Sequence, residues 1–278
     1  MNLDAVSRLQ TKFDELTERR EKALVTFVTA GDPMPEETAA VVVALAESGA
    51  DVVELGIPFS DPLADGPTIQ ASSHRALVAG MTPPKVLEIV RQVREKSEVP
   101  LVLMGAWNPI LRYGIERFAA DAVAAGADGT IITDMIPEEA GDWKRVSDAA
   151  GLSTIFLLAP TSTPARMALI GRMASGFIYC VSRTGVTGAR QDIPDDLPPL
   201  VEAIRSRANG LPVCVGFGVS RPEQVAAICR FADGVVVGSA LVDLLHRERD
   251  SADPLAAARE FVRSLKQGTR PSHGENTP

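Results

Sequence analysis

The sequence predicts an α/β protein: a single-domain (β/α)8 TIM barrel over residues 1–267, with an extra N-terminal helix and a disordered C-terminal tail over 268–278. Eight short apolar segments rich in β-branched residues start at Ala23, Asp51, Pro100, Gly129, Leu152, Gly176, Leu211 and Asp233. Their starts lie 28, 49, 29, 23, 24, 35 and 22 residues apart, which leaves room for one strand and one crossover helix per step and excludes a hairpin meander. The segments are apolar on both faces, as strands of a closed parallel sheet covered by helices must be. An open doubly wound sheet is disfavoured, because Gly216-Phe217-Gly218 runs on as Val219-Ser220-Arg221 without the third glycine of a dinucleotide fingerprint.

Taken in order, Leu3, Val6, Leu9, Phe13 and Leu16 recur at 3, 3, 4 and 3 residues, a helix expected to plug the N-terminal end of the barrel. After the first strand, Pro35-Glu36-Glu37 opens a helix that carries Val42, Val43, Leu45 and Ala46 and stops at Gly49. The second connection is the longest and begins with PFSDPLADGPTIQ, residues 58–70, before Thr82-Pro83 opens a helix with Val86, Leu87, Val90 and Val93. Gly49-Ala50-Asp51 and Gly126-Ala127-Asp128 both read as helix stops with a left-handed glycine, and Ala232-Asp233-Gly234 shares their Ala-Asp pair. Ser220-Arg221-Pro222-Glu223 reads as a capping box with Ser220 at N-cap. Beyond Gln267 the chain is polar and rich in turn formers.

The net charge of −8 and the lack of a Lys/Arg block argue against nucleic acid or an anionic membrane as the main partner. No apolar run reaches about 18 residues, and Asp4, Arg8, Lys12 and Asp14 interrupt the N-terminus, so a soluble, cytoplasmic protein is expected. Cys180, Cys214 and Cys229 lack CxxC spacing, and His74, His246 and His273 are far apart. Neither a disulfide framework nor a local metal site follows from them.

Catalytic groups in such barrels sit at the C-terminal ends of strands and in the loops after them. None of Lys12, Lys22, Lys85, Lys96, Lys144 and Lys266 lies at a strand end, which removes the nucleophile of a Schiff-base aldolase. No histidine lies there either, so a zinc-dependent aldolase lacks its usual ligands.

Carboxylates remain. Glu54 lies inside the second strand and shares a face with Val52 and Gly56. If that face is the interior, desolvation raises its pKa into the range useful for proton transfer, with Gly56 leaving space above it; a pairing with a polar neighbour is the competing reading. Asp65 sits in the stiff 58–70 loop, where spacing fits a lid carboxylate and a turn or helix cap equally. Glycines cluster after strands six to eight, where barrels of this kind bind phosphate; tight turns alone are the other reading.

VELGIPFSDPLADGPTIQ at 53–70, YCVSRTGVTGAR at 179–190, GFGVSRPEQV at 216–225 and VGSALV at 237–242 closely resemble the tryptophan synthase alpha subunit family. The resemblance runs from about Leu9 to about Leu265. It implies a lyase that splits indole-3-glycerol phosphate into indole and glyceraldehyde 3-phosphate without a cofactor or metal of its own. It further implies a beta-subunit partner that carries pyridoxal phosphate, receives the indole and forms an alpha2-beta2 complex with allosteric coupling.

By the same resemblance Glu54 is the general acid/base, Asp65 accepts the indole N–H, and Tyr179 stands at the end of strand six beside the glutamate. Gly188, Gly218, Gly238 and Ser239 would hold the phosphate, and Phe27, Leu103, Ile131, Leu157 and Phe217 would wall the indole. Trp107 departs from the family, whose members often carry tyrosine near this point.

A catalytically silent phosphate-binding regulatory subunit is the alternative, against which Glu54, Asp65 and Tyr179 are all intact. An indole-glycerol-phosphate synthase would want a strand-end lysine and a sugar-phosphate epimerase a metal site, and the sequence offers neither.

Overall fold

The computed structural model describes residues 7–181, 193–216 and 218–271. All eight apolar segments are strands: β1 (Ala23–Thr29), β2 (Val52–Gly56), β3 (Leu101–Gly105), β4 (Gly129–Ile132), β5 (Ser153–Leu158), β6 (Ile178–Val181), β7 (Val213–Gly216) and β8 (Gly234–Val237). Each runs parallel to its sequence neighbours, and β8 closes onto β1. Among the described residues the helices are α1 (Arg8–Glu18), α2 (Thr38–Glu47), α3 (Pro67–Val78), α4 (Pro83–Arg94), α5 (Trp107–Tyr113) and α6 (Ile115–Ala125). They continue with α7 (Gly141–Ala150), α8 (Pro164–Met173), α9 (Leu197–Arg205), α10 (Pro222–Cys229), α11 (Ser239–Glu248) and α12 (Ala256–Gln267). The long second connection thus holds two helices, α3 and α4.

Strand alternation divides the core in two. Val25, Val52, Val102, Ile131, Ile155, Phe177, Cys214 and Val236 fill the barrel interior, and Leu9, Phe13 and Leu16 of α1 join them from below. The Phe13 and Phe177 rings lie 5.9 Å apart, so α1 is the expected plug. Leu24, Val53, Leu55, Leu101 and Leu103 point outward into the layer between strands and helices.

The Ala-Asp near-repeats do more than end helices. Gly49 and Gly126 are left-handed stops, at φ 111° and 102°. The aspartates that follow lock strand pairs together at the N-terminal rim. The Asp51 carboxylate accepts the Leu24 N–H at 2.8 Å, while the Asp51 N–H donates to the Leu24 carbonyl. Asp128 does the same to Leu101, and Asp233 to Val213. In the fourth odd-even pair Ser175 takes this place, its hydroxyl accepting the Thr154 N–H at 2.9 Å. Each carboxylate is also neutralised by a base: Lys266 on Asp51, Arg94 and Arg8 on Asp128, Arg205 and Lys22 on Asp233. A hydrogen bond to a charged group is worth roughly 1.5–3 kcal/mol, so these clasps help fix the register.

Two expectations shift. α10 starts one residue later than the capping box implied: Arg221 is the N-cap, and Gln224 Oε1 accepts from the Ser220 and Arg221 amides, with Glu223 taking no part. Thr269, expected in a loose tail, is 1% exposed, and its carbonyl accepts the Lys22 N–H at 2.9 Å. The packed body therefore extends past 267.

Candidate active site

A cavity of about 160 Å³ opens at the C-terminal mouth of the barrel. Side chains of Phe27, Glu54, Asp65, Met104, Leu157 and Tyr179 wall it, and Gly218, Gly238 and Ser239 close one side. Register explains the grouping: Phe27 pairs with Glu54, Gly56 with Met104, and Leu157 with Tyr179, all on inward positions of adjacent strands.

Glu54 is fully buried, and among the described residues neither of its carboxylate oxygens has a hydrogen-bond partner. The pairing alternative is therefore not what the fold builds. Burial pushes its pKa to about 8, because loss of water disfavours the charged form. At neutral pH the group is a carboxylic acid with a proton to give. The room left at Gly56 is not empty: a Cβ there would lie 2.6 Å from the Phe27 ring, so the glycine admits that ring against the glutamate's strand.

Asp65 ends the loop between β2 and α3. The N-cap of α3 is Gly66, and no side chain caps the helix, which sets the capping alternative aside. Asp65 is half-buried, and desolvation lifts its pKa to about 6. It is thus ionised above that pH and protonated below it.

Tyr179 fits where a side chain at Gly216 would stand, since a Cβ there would be 2.5 Å from the Tyr179 hydroxyl. Burial first, then the neighbouring Glu54 charge, holds the phenol well above its ordinary pKa. It stays neutral.

The opposite side suits an anion. Gly218 adopts φ 67°, a left-handed turn after β7. Gly238 and Ser239 form the N-terminal end of α11, whose first N–H groups have no partner within the helix and carry the positive end of its dipole.

Of the expected indole wall, Phe27 and Leu157 line the cavity. Leu103 does not: it points outward into the helix layer, and Met104 stands inside instead. Ile131 faces inward but belongs to the interior cluster that Met104, Leu157 and Tyr179 pack against. Gly188 and Phe217 lie outside the described residues. Ile69, Val181 and Val236 also line the cavity and were not anticipated. A second cavity of about 190 Å³ shares Phe27, Ala64, Asp65, Met104 and Thr133 with the first and leads towards Asp61, Leu63 and Asp134.

Fold and site define an eight-stranded α/β barrel of the enzyme type, with a buried carboxylic acid and the N-terminal end of α11 lining one largely apolar cavity. A family model described as tryptophan synthase alpha chain matches residues 13–270. A tryptophan synthase alpha chain of Geobacter sp. (strain M21) is 55% identical over 263 residues, 95% of this chain and 98% of the relative. The crystal structure of tryptophan synthase subunit alpha from Legionella pneumophila str. Paris superposes with TM-score 0.86 at 42% identity, covering 95% of this chain and 99% of that one. A Mycobacterium tuberculosis tryptophan synthase structure gives 0.88 at 39% identity, covering 96% and 99%. The chain belongs to the tryptophan synthase alpha chain family. Among the described residues no helix is long and apolar enough to cross a membrane.

Proposed function

We propose that this chain is a carbon–carbon lyase of tryptophan biosynthesis that cleaves indole-3-glycerol phosphate to indole and glyceraldehyde 3-phosphate, with Glu54 moving the proton. The buried Glu54 carboxyl, without a hydrogen-bond partner among the described residues and in one cavity with Gly218, Gly238 and Ser239, is the observation that carries the reading. With the phosphate at Gly218, Gly238 and Ser239, the indole lies among Phe27, Leu157 and Met104. Glu54 begins as the acid and protonates indole C3, leaving positive charge on the ring nitrogen. The Asp65 carboxylate accepts the ring N–H and stabilises that charge as it appears. Glu54, now a carboxylate, takes the proton from the adjacent glycerol hydroxyl. The C–C bond breaks, its electrons restore the aromatic ring, the aldehyde forms, and Glu54 is again protonated. A positioned acid/base of this kind contributes about 10²–10⁴-fold. Tyr179 packs beside the glutamate as a neutral wall.

The chain itself uses no cofactor; pyridoxal phosphate belongs to the beta subunit with which it forms an alpha2-beta2 complex. Docking at the barrel mouth is supported by Leu63, 94% exposed in the loop before α3, and by Ile136 after β4, 40% exposed. The second cavity, which runs from Asp65 to Leu63, offers indole a route in that direction. Since the loop carrying Asp65 also carries the exposed Leu63, its closure would couple occupancy of this site to the partner, within the cytoplasm. Incubation of the purified chain with indole-3-glycerol phosphate, alone and with a beta subunit, tests the proposal. Indole and glyceraldehyde 3-phosphate in equal amounts support it; no indole in either case leaves only a regulatory binding role.

A further inference from the structure

We propose that Gln70 is a positioning residue for the reaction, holding Asp65 over the cavity by gripping the loop backbone. This rests on the reading of Asp65 given above. Gln70 stands in the first turn of α3, and its side-chain Nε2 reaches back over the helix start to donate to the Asp65 carbonyl at 2.9 Å. The same Nε2 lies 3.5 Å from the Pro62 carbonyl, which also accepts the Asp65 N–H at 3.0 Å. One amide thus ties both ends of the Pro62–Asp65 turn to the helix, and Asp65 has backbone bonds on either side of its Cα.

The helix providing this grip is itself anchored. The Ser72 and Thr29 hydroxyls lie 2.6 Å apart, joining α3 to the end of β1. Arg75 makes a two-point ion pair with the buried Asp32, at 2.6 and 2.9 Å. Gln70, by contrast, is exposed. Its side chain carries the rigidity of α3 to Asp65, which lines the cavity, and displacement of a reacting group by about 1 Å is enough to lower rates by orders of magnitude.

The test uses the full chain with a beta subunit present and compares Gln70→Leu, Gln70→Glu and Gln70→Lys in the wild-type and Asp65→Asn backgrounds. Loss of one hydrogen bond of about 1 kcal/mol predicts that Gln70→Leu lowers kcat by about five- to tenfold, with KM changed by less than about twofold. Gln70→Glu, which presents an acceptor to two carbonyls, falls at least as far, and Gln70→Lys, which keeps a donor, recovers most of the loss. In the Asp65→Asn background Gln70→Leu costs less than about twofold, because the group it positions is already gone. Full kcat in Gln70→Leu, or an equal loss in both backgrounds, overturns the proposal. If Asp65→Asn itself keeps wild-type kcat, the reading of Asp65 fails and the proposal falls with it.

Discussion

Glu54→Gln removes the transferable proton while keeping the shape of the side chain, and it separates catalysis from stability in opposite directions. In the unfolded chain the carboxyl has its ordinary value of 4.5, and in the folded chain burial holds it at about 8. Between these values the folded state binds a proton that the unfolded state releases. Stability from this group is therefore present at low pH and lost as pH rises towards 8. At 1.36 kcal/mol per unit, keeping Glu54 neutral at pH 7 costs about 3 kcal/mol, rising to about 5 above pH 8. Glutamine is neutral at every pH, so the variant gains that difference. Denaturant unfolding of both proteins at pH 5, 7 and 8.5 measures it: less than about 1 kcal/mol in favour of Gln at pH 5, and about 3 at pH 7. Turnover of indole-3-glycerol phosphate drops by at least about a hundredfold while substrate still binds. A variant less stable than wild type by the same amount at all three pH values would mean that Glu54 is charged and well partnered. Unchanged turnover would remove Glu54 from the mechanism.

Because Asp65 must be ionised and Glu54 protonated, the kcat/KM profile is bell-shaped, falling below about pH 6 and above about pH 8; Asp65→Asn abolishes the acid limb, and a profile flat from 5 to 9 excludes the pair. Ser239→Asp sets a negative charge in the first turn of α11, the proposed phosphate site, and steady-state kinetics should show KM raised at least about tenfold with kcat little changed; equal effects on both would place the phosphate elsewhere. Asp128→Ala strips a partner from the largely buried Arg94 and from the Leu101 N–H, lowering unfolding free energy by about 3 kcal/mol, whereas Ser175→Ala, which removes a neutral acceptor, costs about 1; thermal melts that rank them the other way would deny the clasps their role.

The barrel was legible because its strands are unusual: Val52-Val53, Val235-Val236 and their counterparts are apolar on both faces, and only helices on one side and a closed interior on the other bury both. The same property hid the inward set of β3. Leu103 and Met104 are both apolar, so nothing in the segment itself says which faces the cavity; the register decides it, pairing Met104 with Gly56 on the Glu54 face of β2 and Leu103 with the outward Leu55. Glu54 escaped that ambiguity, being the one charged residue in its strand. The clasps were half-visible, since Asp51, Asp128 and Asp233 recur at strand starts, but their partners come from the preceding strand, and Ser175 breaks the pattern. Gln70 was invisible, because a glutamine in a first helical turn is ordinary until the carbonyl it reaches is known. At α10, Ser220 and Glu223 imitate a capping box one residue ahead of the real one, which uses Gln224.

Infrared titration of the resting protein reads the ionisation of Glu54 directly. The carboxylic acid C=O band present in wild type and missing from Glu54→Gln should persist through neutrality and disappear with a midpoint near pH 8. A midpoint near 4.5, the value of an ordinary solvated glutamate, would contradict a neutral acid at the barrel floor and the order of proton transfers built on it.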